Sequence, residues 1–433
     1  MKKYLKKIIV TILEYEARII LARYTPRIVA VTGSVGKTST KDAIFTVLSS
    51  AYYVRKSEKS YNSEIGIPLT VIGAPNAWSN PLLWLRNIFL GLKVIFFRSR
   101  YPEWLVLEVG ADRPADIKNI TRWLKPDVAV ITRLSKVPVH VEFFSSPEAV
   151  FKEKGYLAEA LKYNGVLVLN NDDEDVLAYR EKTQNTVLTY GFLEGSDVRA
   201  SNDAVVFEKQ GIAKVPTGMT FRVDYKGNSV PITISGGLGK QHIYPTLAAI
   251  AVGLSQNINM VKMGEALKKH VTPKGRMRLI AGVKETFIID DTYNSSPVAL
   301  KEALETLSNI HTRKRKIAVL GDMLELGRYS TEEHKNAGKL ASVVCDVLVT
   351  VGLRARDIAQ GALGEGMDES TIFQFEDSRE AGKFVEQLLE KRDIVLVKGS
   401  QSIRMERVVE EIMAHPEKSE NLLVRQEEEW LRR

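Results

Sequence analysis

The stretch Ile28 to Thr40 (IVAVTGSVGKTST) constrains the fold of this chain more than any other. Ile28 to Val31 is a short apolar run, largely β-branched, and reads as a buried strand. It stops at Thr32-Gly33 and passes into a turn that ends in Gly36-Lys37-Thr38. Lys41 to Leu48 then has helix composition, with apolar Ile44, Phe45 and Leu48. A strand, a glycine-containing loop and a helix in this order aim backbone N–H groups and a helix N-terminus at one anion. In such a loop Lys37 reaches the outer phosphates and the Thr38 hydroxyl ligates Mg²⁺. The pattern is T-G-x-x-G-K-T, not the full G-x-x-x-x-G-K-[ST], because Val31 stands at the first glycine position. The competing reading is an ordinary surface turn, for which a lysine followed by three hydroxyl residues is unusual.

A chain of 433 residues is too long for one core, so two or three domains are expected. The single cysteine, Cys345, excludes an internal disulfide framework and a thiolate metal cluster, and fits a reducing compartment. Six scattered histidines form no H-x-x-x-H pair, which argues against a zinc hydrolase. The net charge of +8 is modest for this length. No basic patch interleaved with aromatic residues points to nucleic acid.

Met1 to Arg23 has the apolar spacing of an amphipathic helix, through Ile8, Ile12, Ile19 and Ile20. Its uncharged run is too short for a membrane span, and no cleavage site follows. Packing against the body of the protein is favoured over a membrane-surface role, since charges of both signs are present. Ser60 to Leu69 is a polar loop entering an apolar segment. Trp78 to Trp104 is the most hydrophobic part of the chain, yet contains Arg86 and Lys93. It fits an interfacial helix or one buried between layers equally well.

Strands are expected at 104–109, 127–132 and 165–170, with a helix over 151–161 between the last two. Strands alternating with helices imply a parallel α/β sheet whose ligands gather at the strand C-terminal ends. Thr38, Glu108 and His140 all lie just past such ends, which argues for one shared site. From Asp197 to Ser235 the pattern alternates instead, and Lys226-Gly227-Asn228-Ser229 reads as a hairpin turn. Thr272-Pro273-Lys274-Gly275 marks a domain boundary. Beyond it, strands at 287–290, 316–320, 346–351 and 394–397 predict a second doubly wound domain. The division expected is an N-terminal helix over 1–25, a central domain over 26–272 and a C-terminal domain over 273–433. The last eighteen or so residues, from Pro416, read as a charged tail, helical or frayed.

Nine stretches in order resemble the Mur ligase family, ATP-dependent amide-forming enzymes of peptidoglycan precursor synthesis, and most of all its D-alanyl-D-alanine-adding branch. They are Thr32–Ser39, Asn62–Leu69, Leu107–Ala111, His140–Phe144, Lys152–Lys154, Gly275–Met277, Asp290–Pro297, Gly321–Gly327 and Val397–Ser400. The resemblance implies a P-loop ATPase domain with a mainly parallel sheet and an antiparallel addition, then a smaller Rossmann-like domain. It implies ATP binding by Gly33, Ser34, Val35, Gly36, Lys37, Thr38 and Ser39, with His242, Arg276, Asp290, Tyr293 and Asn294 around the nucleotide. Mg²⁺ is expected on Thr38, Glu108 and His140. Lys37, Lys154 and His140 are the expected catalytic residues, Lys154 as a carbamylated lysine. Asn62, Lys398 and Ser400 are expected at the substrates, a cell-wall peptide precursor and an amino acid or dipeptide.

Two departures stand out. Gly239-Lys-Gln-His242 replaces the family's G-x-H-N beside the adenine, putting Gln241 and His242 in those places. Only 31 residues precede Thr32, too few for the UDP-binding N-terminal domain of the D-alanyl-D-alanine-adding enzymes. The expected function is therefore acyl-phosphate activation of a carboxylate for attack by an amine such as D-Ala-D-Ala. The alternatives are a sibling ligase with a lipid-linked or other acceptor, and a nucleotide-binding subunit without ligase activity. The expected location is the cytoplasm, with membrane contact on its inner face through 1–23 and 78–104 left open.

Overall fold

A computed structural model describes residues 3–58, 61–78, 80–210 and 213–431. Met1, Lys2, Ser60, Ser79, Gly211, Ile212, Arg432 and Arg433, which belong to stretches singled out above, lie outside them. Nine strands form the first sheet: β1 (Arg27–Thr32), β2 (Val54–Lys56), β3 (Trp104–Glu108), β4 (Val128–Ile131), β5 (Val166–Asn170), β6 (Thr186–Gly191), β7 (Val198–Gln210), β8 (Ala213–Tyr225) and β9 (Asn228–Ser235). Their order is β2-β3-β1-β4-β5-β6-β7-β8-β9. The pairs from β2 to β7 are parallel, and β7-β8-β9 is an antiparallel meander. All residues of β3 and β4 are buried, as strands covered on both faces must be. Lys226 and Gly227, both at positive φ, turn β8 into β9 as the sequence implied. The sequence reading missed β2, of three residues, and β6, whose Thr-Val-Leu-Thr run carries only a weak pattern.

The second sheet holds β10 (Arg278–Ala281), β11 (Phe287–Asp291), β12 (Lys316–Gly321), β13 (Val347–Val351), β14 (Ile372–Phe375) and β15 (Ile394–Lys398), in the order β10-β11-β15-β12-β13-β14. It is parallel except for β10, which runs against β11. Four of these strands were expected; the two edge strands, β10 and β14, were not. The tail beyond Pro416 forms short helical turns and is anchored, because Arg425 is buried, pairs with Glu406 and donates to the Thr292 and Tyr293 carbonyls.

Helices cover both faces of the first sheet. On one, α2 (Lys37–Ser49) packs beside the helix Lys240–Ser255, and Ile44, Val47, Leu48, Leu247 and Ile250 enter a core shared with Val29 and Val31. On the other lie α1 (Lys3–Tyr24), α3 (Gly66–Ile72) and α4 (Pro81–Phe96). Ile9, Leu13, Ala17 and Ile20 recur at helical spacing and bury one stripe of α1 with Ile67, Trp84 and Ile95. The inner face of α1 thus packs on the body of the protein. In α4 only Trp84, Asn87, Gly91 and Ile95 are buried, so this helix does not lie between layers. Asn80 caps it by accepting from the Leu82 and Leu83 amides, with Pro81 at the first position. No helix among the described residues is long and apolar enough to cross a membrane.

Candidate functional site

The loop after β1 is held by the end of β4. Ser34 N donates to Arg133 O (2.6 Å), and the Thr132 hydroxyl donates to Val35 O (2.6 Å). Gly33 sits at φ 146°, and a Cβ there would stand 2.0 Å from Thr132 Oγ1, so this position accepts no side chain. Gly36, at φ 84°, begins α2 with no side-chain cap, leaving first-turn N–H groups without a side-chain acceptor from the cap residue. The Ser34 hydroxyl is buried with no partner among the described residues. Unsatisfied donors around a helix N-terminus fit a phosphate group. Lys37 folds back over the loop and donates to Gly33 O (3.0 Å). Burial pushes its pKa down, and Arg276 adds to that, while Glu108 and Asp112 oppose it.

Beside the loop, Thr38 Oγ1 donates to Glu108 Oε2 (2.9 Å) and Asn62 Nδ2 to Glu108 Oε1 (3.4 Å). Glu108 is buried at the end of β3, adjacent to β1 in the sheet. A hydroxyl and a carboxylate oxygen side by side are the donor set a hard divalent cation takes, with phosphate and water completing the shell. Among the described residues, no three His, Cys, Asp or Glu side chains gather as a metal-ligand set. His140 is held between two carboxylates: its Nδ1 stands 2.7 Å from Glu325 Oε2 and its Nε2 3.4 Å from Asp112 Oδ1. Glu325 belongs to Gly321–Gly327 in the second lobe, so this contact spans the two lobes. The imidazole holds the Glu325 carboxyl below its ordinary range.

Lys154, on the helix Pro147–Glu159, is buried with no carboxylate in ion-pair range among the described residues. Burial, then the Lys37 charge, lowers its pKa to about 7 against the opposing pull of Asp112 and Glu153. A large share of this side chain is therefore a neutral amine near neutral pH. Its neighbour Glu153 turns the other way and accepts from the Ala115 and Lys118 amides, both at 3.0 Å.

The second lobe supplies Arg276, whose guanidinium lies 4.1 Å from the centre of the Tyr293 ring. The side chains below it are tied into hydrogen bonds within the lobe. Asp290 is fully buried and accepts from Gly275 N, Thr292 N and the Thr292 hydroxyl, with its pKa pushed up by burial to about 6. Asp291 accepts from Met277 N and pairs with Lys398 Nζ at 2.5 Å, and Lys398 also donates to Asn294 O (3.0 Å). The Ser400 hydroxyl accepts from Leu324 N. Asp290, Lys398 and Ser400 thus shape the loops carrying Arg276, Tyr293, Asn294 and Glu325, with their own polar atoms engaged inside. His242 is buried at the start of its helix, and burial lowers its pKa to about 4, which keeps the ring neutral. Its Nε2 finds no partner among the described residues. The Gln241 amide stands 3.4 Å from the Thr306 hydroxyl.

Sequence reasoning passed over Asp112, Asp291, Glu325 and Arg425. Asp112 and Glu325 lie against or inside stretches already singled out, but their pairing with His140 depends on how the lobes meet. An ion pair between Arg133 and Glu302 also crosses between the lobes.

Comparison with known proteins places this geometry. The Mur ligase middle domain profile matches residues 87–253, and the Mur ligase, glutamate ligase domain profile matches residues 275–401. The chain belongs to the Mur ligase family. Its members are ATP-dependent ligases that form amide bonds. This Mur ligase is 29% identical over 410 residues to the UDP-N-acetylmuramoyl-tripeptide--D-alanyl-D-alanine ligase of Bacillus subtilis, covering 94% of this chain and 80% of that one. The Escherichia coli enzyme of the same name is 26% identical over 388 residues, covering 88% and 76%. The crystal structure of MurF ligase from Thermotoga maritima in complex with ADP superposes with a TM-score of 0.75 at 25% identity, over 93% of this chain and 83% of that one. The phosphate loop of this Mur ligase lies ahead of the middle-domain match, and the two matches fall on the two sheets.

Proposed function

We propose that this chain joins the carboxylate of a nucleotide-linked cell-wall peptide precursor to the amine of D-alanyl-D-alanine, at the expense of ATP. The observation that carries this reading is the meeting of two cations, Lys37 and Arg276, with the buried Lys154 amine at a phosphate loop whose Ser34 hydroxyl has no partner among the described residues. The naming of the curated relatives supports the choice of substrates.

A substrate carboxylate oxygen attacks the γ-phosphorus of ATP, the bond to the β-phosphate oxygen breaks, and ADP leaves. Two anions must approach each other, and the loop amides, Lys37 and Arg276 lower that barrier by holding positive charge where negative charge accumulates. The amine nitrogen then attacks the acyl carbon, loses a proton and expels inorganic phosphate. Thr38 and Glu108 would hold Mg²⁺, which supplies charge neutralisation between the phosphates and the carboxylate. The neutral amine of Lys154 fits carbamylation, because a neutral amine adds to carbon dioxide whereas an ammonium does not. The carbamate would turn a buried amine near Lys37 into an anion, opposite in sign to the Lys37 ammonium. His140 joins the set as a link between lobes, through Glu325 and Asp112.

Purified protein with ATP, Mg²⁺, UDP-MurNAc-tripeptide and D-Ala-D-Ala should release phosphate only when both substrates are present. Lys37→Ala should lower the rate by about a thousandfold or more. Phosphate release indifferent to the peptide and the dipeptide would overturn the choice of substrates, and full activity in Lys37→Ala would overturn the loop.

A further inference from the structure

Two of the helices on one side of the first sheet, α1 and α4, turn an apolar row outward. In α4 the residues Leu82, Leu85, Phe89, Leu92 and Phe96 recur at three- and four-residue spacing, which puts them on one face. That face is opposite to the buried one: Leu82 is 75% exposed, Phe89 61% and Phe96 71%. Phe97 continues it. On α1, Ile8 and Ile12 precede Glu16 in steps of four, and Glu16 is the residue that meets Gly91 of α4. Ile8, Ile12 and Tyr15 are exposed, so the α1 row borders the seam with α4. Scattered single apolar residues need no explanation, but a row of large side chains along two adjoining helices does.

The charges around the row select what covers it. Arg86 and Lys93, seven residues apart, run beside the α4 row, and Arg98 and Arg100 follow at its end; all four are exposed. No acidic residue occurs from Trp78 to Pro102. On α1, Lys6 and Lys7 are exposed at the N-terminal end, Lys6 near Glu64, and Glu14 is taken up by Arg18. An outward face of Leu, Phe and Ile rimmed by Lys and Arg is what an interfacial helix needs: apolar side chains enter the acyl boundary while cations meet lipid phosphates. Arg and Lys stems reach along the apolar surface with their charges at headgroup level. No helix among the described residues is able to span, so the segment would lie in the plane of the interface.

We propose that the outer faces of α1 and α4 form a seat for an anionic phospholipid surface. The proposal is independent of the ligase chemistry, since it uses none of the site residues. It is tested by co-sedimentation of the full chain with vesicles of phosphatidylcholine alone and of phosphatidylcholine with phosphatidylglycerol. The chain should be retained by the anionic vesicles, less so as salt rises. Arg86→Gln with Lys93→Gln should weaken retention about twenty-five-fold, at roughly fivefold for each cation. Leu85→Ser, Phe89→Ser and Phe96→Ser together should abolish it. All three positions are exposed, so thermal unfolding and phosphate release should stay as in the parent, which separates lost docking from lost folding. Absence of retention by anionic vesicles would overturn the proposal, as would retention equal in the parent and the triple-serine variant. A concentration-dependent dimer abolished by the serine substitutions, with no lipid retention, would overturn it in favour of a second copy of the chain.

Discussion

Replacing Glu16 by glutamine should strengthen the seam between α1 and α4 at alkaline pH and remove its pH dependence. Glu16 is only 3% exposed, and neither carboxyl oxygen has a hydrogen-bond partner among the described residues. A Cβ on Gly91 would fall 2.1 Å from Glu16 Oε2, so the carboxyl lies directly against the α4 backbone. Burial alone raises its pKa from the ordinary 4.5 to about 7. The folded state therefore holds the proton more tightly than the unfolded chain. Below about pH 4.5 the group is neutral in both states and costs nothing by ionisation. As pH rises towards 7 the unfolded chain ionises first and stability falls; above 7 the loss is complete. The distance from 4.5 to about 7 corresponds to about 3 kcal/mol in all, of which roughly 2 kcal/mol falls between about pH 5 and pH 8. The assay is amide hydrogen exchange in α1, corrected for the intrinsic pH dependence, since a two-lobed chain has no single unfolding free energy. The parent should lose protection between these pH values and Glu16→Gln should not. Parallel loss in both proteins would refute the reasoning, because the ionisation would then lie elsewhere.

Two further outcomes are expected. Lys154→Arg keeps the positive charge but cannot form a carbamate. It should lower phosphate release about a hundredfold or more, and the carbamate carbon signal seen by NMR in labelled bicarbonate should vanish with it. In the parent that signal should fade as pH drops below about 7, where the Lys154 amine gains its proton. Asp291→Ala should cost about 3–5 kcal/mol, because it leaves Lys398 charged and buried without its partner. The double variant Asp291→Ala, Lys398→Met should recover part of that loss in denaturant unfolding of the second lobe.

Much of this protein was legible along the chain. The phosphate loop is read from Gly33, Gly36, Lys37 and Thr38 because its function resides in local backbone geometry, which four residue types at fixed spacing dictate. The buried strands β1, β3, β4, β5, β12 and β15 are dense in apolar side chains and announce themselves. Strands β2, β10 and β14 do not, since short or edge strands owe their existence to neighbours distant in sequence, and interior β6 hides behind the weak pattern of its Thr-Val-Leu-Thr run. The same limit governs the side chains. Nothing around Asp290, Lys398 or Ser400 in the sequence says that their polar atoms point inward. Burial and partners such as Thr292, Asp291 and Leu324 decided that. The depressed pKa of Lys154 is likewise a property of its place, set by lost hydration and by Lys37 more than a hundred residues away in the chain. The Trp78–Trp104 segment shows both sides of the division. Its composition determined that it would be apolar and cationic; only the packing of α4, with Trp84, Gly91 and Ile95 inward, against α1 and α3 decided which half faces outward. Helical periodicity specifies that a face exists, and the rest of the fold specifies what it meets.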